Sequence, residues 1–188
     1  SVGLPTTSTM MFGHIEKTAH VAHHLLELLN LQKKTNGITE FVPLPFVADE
    51  APIFRRGQAR PGPTFKETIL VHSVARILFQ GQINNIQGSW VKMGLPGLKF
   101  LLSSGINDIG GVLMNESITR SAGASFGQEL RLEEVEGIVN ELGLNLQQRN
   151  TLYDSLNNNL HDLISLQSIP LIPINNDYHK PKKLINIT

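Results

Sequence analysis

The sequence predicts an α/β protein built as half of a parallel (β/α)8 barrel, with four strand–helix units in series and a C-terminal helical extension. Two observations carry that expectation. Short apolar runs alternate with stretches of helical periodicity, the pattern of parallel strands joined by crossover helices. Glycine, proline or asparagine punctuates most of the changes from one kind of segment to the other. The length of 188 residues allows one domain of ordinary size or a piece of something larger.

The first unit pairs a strand at Thr6–Phe12, followed by Gly13, with a helix over Thr18–Lys34. Val21, Leu25, Leu28 and Leu29 recur on one face of that helix, and Asn36-Gly37 stops it. A second strand spans Thr39–Leu44 and leads into a long loop, Pro45–Pro63, rich in proline and arginine. Thr64 with Glu67 makes a capping box for a helix whose apolar face is read as Leu70, Val74, Ile77 and Leu78, ended by Gly81. A third strand, Asn85–Val91, passes through Gly94 and Pro96 to a short helix at Leu98–Leu102, closed by Gly105. The fourth strand, Asp108–Met114, runs into Asn115-Glu116-Ser117 and a helix through Ala124. Residues 1–130 are thus expected to form the half-barrel and 131–156 a helical segment, with Leu132, Val135, Ile138, Val139 and Leu142 on one face and Gly143 as cap. Residues 157–188, rich in asparagine, isoleucine and lysine, are expected to be a poorly ordered tail.

Sixteen basic and sixteen acidic side chains balance, so charge gives no reason to expect a nucleic-acid or membrane-surface partner. No apolar run approaches the roughly 20 residues needed to span a bilayer, and the chain reads as soluble. There is no cysteine, which excludes disulfides, thiolate zinc sites and an iron–sulfur cluster ligated by this chain in the usual way. The chain opens Ser-Val-Gly-Leu-Pro, with no initiator methionine and no targeting leader, and is expected to begin inside a longer protein.

In a parallel barrel the working residues lie at the carboxyl ends of strands. Those positions are Met11–Glu16, Pro43–Phe46, Gln87–Lys92 and Asn115–Ser117. Gly13 would permit close approach of a ligand, although glycine also ends strands in general. His14, His20, His23 and His24 invite a metal reading, but the helical ones lie on the outer layer, and a solvated helix face is the favoured account. Arg55, Arg56 and Arg60 could hold a phosphate or carboxylate, or be ordinary solvated loop arginines. Glu40, inside a strand expected to be buried, needs a catalytic role or an internal ion pair, with Lys92 or Arg120 as candidate partners.

Thr9-x-Met11-x-Gly13-x-x-Glu16 resembles the glycine-and-glutamate motif on the fifth strand of radical S-adenosylmethionine (SAM) enzymes. Five further blocks, in order, are similar to one branch of that superfamily: Glu40–Phe46, Ala59–Thr64, Val74–Leu78, Asn85–Lys92 and Gly110–Ser117. That branch is the deazaflavin-forming FO synthase family, in its 4-hydroxyphenyl transferase half. The resemblance runs from Thr6 to Tyr153 and takes in Gln148-Arg149 and Thr151-Leu-Tyr153.

The resemblance implies the carboxyl-terminal half of a TIM-type radical SAM barrel. It implies an enzyme joining a tyrosine-derived hydroxybenzyl group to 5-amino-6-(D-ribitylamino)uracil, with SAM and a [4Fe-4S] cluster as cofactors. By the same resemblance Gly13, Glu16, Val42 and Leu44 line the SAM side, the last two through backbone contacts near the adenine. Strand-end position nominates Gln87, Ser89, Asn115 and Glu116 as the wall facing the substrates.

The family's three-cysteine cluster motif and first four strand–helix units are missing from this sequence. The expected metal ligands in this chain are therefore none, the cluster belonging to a missing N-terminal half-barrel, and the chain alone is expected to be inactive. Two alternatives stand beside this reading: half of a menaquinone-pathway radical SAM enzyme, or a cysteine-free module that assembles with a separate cluster-bearing half. The resemblance implies a cytoplasmic protein, or an organellar one in a eukaryote. Its first and fourth strands should present unpaired edges and promote self-association.

Overall fold

Strand β1 (Thr6–Phe12) and helix α1 (Thr18–Thr35) form where local sequence places them, in a computed structural model that describes residues 3–111, 117–126 and 129–155. The amide of Lys17 donates to His20 Nδ1 at the start of α1. Asn36 ends it in the left-handed region at φ 49°, its amide bonding the Gln32 carbonyl. Gln32 itself is buried and satisfied. Its amide nitrogen bonds the carbonyls of Ile38 and Gln82, and its oxygen accepts from the Ile38 amide, so one side chain ties α1 to the strand start at Ile38 and to the loop at Gln82.

β2 (Ile38–Pro45) lies parallel to β1, with Thr9 opposite Val42 and Met11 opposite Leu44, and β3 (Asn85–Ile86) completes a sheet of order β1-β2-β3. Alternation splits the sheet into two unlike faces. Met10, Phe12, Phe41 and Ile86 belong to the buried core beneath the helices, and the Phe41 ring meets the edge of Phe79 at 5.2 Å. The opposite face carries Thr7, Thr9 and Met11 beside Glu40, Val42 and Leu44; its β1 part is bare, with Met11 52 % exposed.

Two prolines in β2 fit this topology. The Phe46 amide bonds the Phe12 carbonyl and the Gln87 amide bonds the Phe41 carbonyl, so even-numbered residues of β2 turn their backbone toward β1 and odd-numbered ones toward β3. Pro43 and Pro45 are odd-numbered and lie beyond the point where β3 ends, where no strand partner requires an N–H.

The Pro45–Pro63 loop contains a short helix, α2 (Pro52–Arg55). α3 (Phe65–Leu78) starts on the expected box: Thr64 Oγ1 accepts from the Glu67 amide at 3.2 Å and Glu67 Oε2 accepts from the Thr64 amide at 2.7 Å. Its buried stripe differs from the periodicity reading. Thr68, His72 and Ala75 face inward, whereas Leu70, Val74 and Ile77 are 55, 42 and 75 % exposed. Arg76 makes the inward choice binding on the helix: its guanidinium bonds Asn84 O at 2.8 Å and Asn107 Oδ1 at 2.6 Å, and its Nε bonds Gly105 O. Only one orientation of α3 lets those bonds form.

β3 is shorter than expected because Gly88 and Ser89 turn the chain into α4 (Trp90–Leu102) at once. Gly94 breaks α4 at φ 64°, ψ 177°, so the expected helix at Leu98–Leu102 is the second of two abutting segments. The expected fourth strand is represented by a parallel bridge of Gln87 to Asp108; residues 112–116 lie outside the described residues. α5 (Ile118–Ser121) packs its following turn on the loop after β2, the Glu50 amide bonding Ala122 O. α6 (Leu132–Glu141) buries Val135 and Val139, and Gly143 follows at φ 65°. Helix thus accounts for only part of the 131–156 segment, since residues 144–155 run without helix. The expected tail at 157–188 lies outside the described residues.

Candidate functional site at the carboxyl end of the sheet

The turn after β1 is built around Glu16. Its Oε1 accepts from the Gly13 amide at 2.6 Å and its Oε2 from the His14 amide at 3.1 Å. His14 Nδ1 stands 2.8 Å from Oε2 and Arg60 Nη2 3.5 Å from Oε1. Partial burial opposes ionisation of Glu16, but the amides of Gly13, Glu16 and His14 and the nearby His14 ring outweigh it and hold the carboxyl at about 2. Gly13 sits at φ 98°, and a Cβ on it would meet Pro63 Cδ at 2.1 Å. The close approach that Gly13 permits is therefore to the chain's own loop.

That loop closes over the turn. The Arg60 amide bonds the His14 carbonyl at 2.9 Å, and Arg60 Nη1 bonds Glu67 at 2.7 Å, linking Glu67, Arg60, Glu16 and His14 in one row. Arg55 pairs with Glu50, while Arg56 is exposed. Of the three loop arginines, two have internal carboxylates as partners.

The other nominated residues lie along the same sheet end. Val42 and Leu44 lie on the same face as exposed Thr9 and Met11 but are buried and half-buried, and their backbone groups turn toward β1. Gln87 is held between β2 and Asp108, and its side chain lies where a Cβ on Gly110 would meet Nε2 at 2.9 Å. Ser89 is the N-cap residue of α4 and its carbonyl accepts from the Lys92 and Met93 amides. Asn115 and Glu116 lie outside the described residues.

Glu40 belongs to a second polar cluster, nearer the amino-terminal ends of the strands. Its partner is Arg149, with Nη2 3.5 Å from Oε1, and neither Lys92 nor Arg120 takes that place. Arg149 also bonds Asp108 and lies over the Tyr153 ring at 4.2 Å. Burial, with Asp108 beside it, pushes the Glu40 carboxyl up, against the Tyr153 hydroxyl and Arg149. Burial and the Glu40 carboxylate push Tyr153 to about 12. In a parallel barrel this is the end where buried groups serve stability, and residues 144–155 close it.

No group of histidine, cysteine, aspartate or glutamate among the described residues could hold a metal ion. His20 is occupied at the start of α1 and His23 pairs with Glu27 at 3.7 Å on an exposed face. His14, set apart from them, is the histidine at the strand ends. Its pairing with Glu16 was missed in sequence because residues two apart on a strand-end turn carry no periodic signal. Arg149 had no local signal either, beyond its place in a block resembling the family.

Residues 35–161 match the family described as the CofH/MqnC C-terminal region. The 5-amino-6-(D-ribitylamino)uracil--L-tyrosine 4-hydroxyphenyl transferase of Methanocaldococcus jannaschii is 47 % identical over 155 residues, covering 82 % of this chain and 43 % of that protein. The protein of the same name from Methanopyrus kandleri is 49 % identical over 153 residues, covering 81 % of this chain and 42 % of its own. FO synthase of Nocardia farcinica is 40 % identical over 173 residues, covering 92 % of this chain and 19 % of that protein. The chain spans less than half the length of the archaeal relatives and under one fifth of the bacterial one. No helix among the described residues is long and apolar enough to cross a membrane. Matched over most of its length and with the turn, loop and sheet end assembled as described, the chain belongs to the CofH/MqnC C-terminal region family.

Proposed function

We propose that this chain is the carboxyl half of a (β/α)8 barrel, four strand–helix units and an extension, in a radical SAM enzyme. That enzyme joins the 4-hydroxybenzyl group of tyrosine to 5-amino-6-(D-ribitylamino)uracil in forming a deazaflavin. The observation that carries this reading is the 47 % identity to the named transferase over 82 % of the chain. The bare β1 part of the sheet face supports the barrel, because exposed Thr9 and Met11 beside Val42 and Leu44 suit an interior shared with another half.

The chain has no cysteine and does not fit a [4Fe-4S] cluster, so the cluster is assigned to a preceding half-barrel. Gly13 and Glu16 line the SAM side, with Val42 and Leu44 near the adenine through backbone contacts. Gln87, Ser89, Asn115 and Glu116 form the substrate wall. These residues bind, orient and exclude water, which is what radical chemistry in a closed barrel demands of a half-barrel without redox groups. The enzyme is cytoplasmic in this reading.

The test is anaerobic reconstitution of the full-length parent protein with iron and sulfide, followed by incubation with SAM, a reductant, tyrosine and the aminouracil. The expected result is 5′-deoxyadenosine together with the coupled product, and neither from the 188-residue chain alone. Activity that appears only on mixing this chain with a separate cysteine-bearing protein would favour the two-part assembly. Deoxyadenosine without coupled product would overturn the substrate assignment.

A further inference from the structure

We propose that His14 is a ligand-binding residue of this site, accepting a hydrogen bond at Nε2 from the proton-donating group of the amino-acid substrate, with Glu16 as the positioning residue that holds its ring. This rests on the functional reading above and goes beyond it by moving the ligand contact from the carboxylate to the imidazole. Both Glu16 oxygens are already engaged inside the chain, Oε1 by the Gly13 amide and Arg60, Oε2 by the His14 amide and ring. A carboxylate so occupied has little capacity left for an outside cation.

The imidazole is held differently. Nδ1 is buried 2.8 Å from Glu16 Oε2, close enough for charge but not in hydrogen-bond geometry, and the ring lies 5.6 Å from that of Phe46, centroid to centroid, just beyond the end of β2. The side chain as a whole keeps 22 % exposure, none of it at Nδ1, which leaves the rest of the ring, Nε2 included, to meet a ligand. A carboxylate at Nδ1 favours the tautomer with its proton there, leaving a lone pair on Nε2. Arg60 and Glu67 complete the charged surroundings of this turn, and the loop fastened by the Arg60 amide keeps the turn from relaxing. The groups of an aromatic amino acid that can donate to such an acceptor are its ammonium and its phenol hydroxyl.

The experiment measures Kd in the reconstituted full-length enzyme for L-tyrosine, L-phenylalanine, which lacks the phenol, and 3-(4-hydroxyphenyl)propionate, which lacks the ammonium. It is run in the unsubstituted protein, His14→Leu, His14→Asn and Glu16→Gln. In the unsubstituted protein, loss of the donating group costs about tenfold in affinity, and in His14→Leu that cost disappears while the cost of the other group is unchanged. The analogue that shows the coupling identifies the donor. His14→Asn, which keeps an acceptor oxygen, recovers part of it. Glu16→Gln, which keeps the imidazole but loses the carboxylate beside it, weakens tyrosine binding several-fold and shrinks the cost of losing the donating group. Equal analogue costs in every variant overturn the His14 assignment, and a Glu16→Gln protein that keeps the full analogue cost of the unsubstituted protein overturns the positioning role. If the unsubstituted enzyme binds no tyrosine at all, the functional reading itself falls, and the His14 assignment with it.

Discussion

Arg149 and Glu40 are 109 residues apart in the chain, yet the guanidinium lies 3.5 Å from a carboxylate that is 3 % exposed. Asp108 shares the same cation. Removing Arg149 would strand Glu40 in a poorly solvated place, and Arg149→Met is expected to cost about 3–5 kcal/mol. Adding Glu40→Leu to that variant should recover part of the loss, since it removes one of the two stranded carboxylates and leaves Asp108 without its cation. Thermal denaturation of the two single variants, the double variant and the unsubstituted parent protein measures the coupling; strictly additive losses would mean the pair is not coupled.

Stability should vary with pH through three groups acting in different directions. Glu16 titrates at about 2 in the fold against an ordinary 4.5, so its contribution is present above 4.5 and lost as pH falls toward 2. The size is on the order of 2 kcal/mol after allowance for its partial exposure. Burial pushes the His72 pKa below 6.5, so stability begins to fall earlier, as pH drops below that value. Glu40 acts oppositely: its raised pKa contributes stability below 4.5 that is lost as pH rises through the folded value. Melting temperatures across pH 3–8 should show Glu16→Gln flattening the acid limb and Glu40→Gln raising the neutral plateau relative to the acid side.

Gly13→Ala should be among the costliest small changes in the chain. The added methyl meets Pro63 and the residue is held at φ 98°, so both overpacking and backbone strain apply, with a loss of about 2–4 kcal/mol. Combining it with Pro63→Ala should restore only part of the stability, because the ring contact is relieved while the backbone nitrogen of residue 63, 2.4 Å from the added methyl, and the dihedral remain. Full recovery in the double variant would show that φ at residue 13 is free to change.

Helix α3 gives opposite expectations for two neighbouring residues. Ala75 is fully buried, and Ala75→Leu should destabilise by about 1–3 kcal/mol through overpacking. Ile77 is 75 % exposed, and Ile77→Lys should change stability by no more than about 0.5 kcal/mol. A large loss for Ile77→Lys in denaturant titrations would restore the periodicity-based face.

The isolated 188-residue chain should self-associate, because β1 offers an unpaired edge and a bare face with exposed Met11. Sedimentation velocity should show concentration-dependent species above the monomer. A single monomeric boundary at all concentrations would contradict this.

Local sequence determined much of this protein. β1, the ends of α1 and α3, the stop at Gly143 and the absence of thiol chemistry were all readable, because caps, turns and composition act within about four residues or not through structure at all. The sheet end bearing Gly13 and Glu16 was readable for the same reason. Tertiary structure alone decided which stripe of α3 is buried, since Arg76 must reach Asn84, Gly105 and Asn107 and thereby turns three apolar residues outward. It alone chose Arg149 as the partner of Glu40 and brought Arg60 to Glu16. Each of those outcomes depends on groups distant in the chain, and a pattern repeating every two or four residues carries no information about which distant group will arrive.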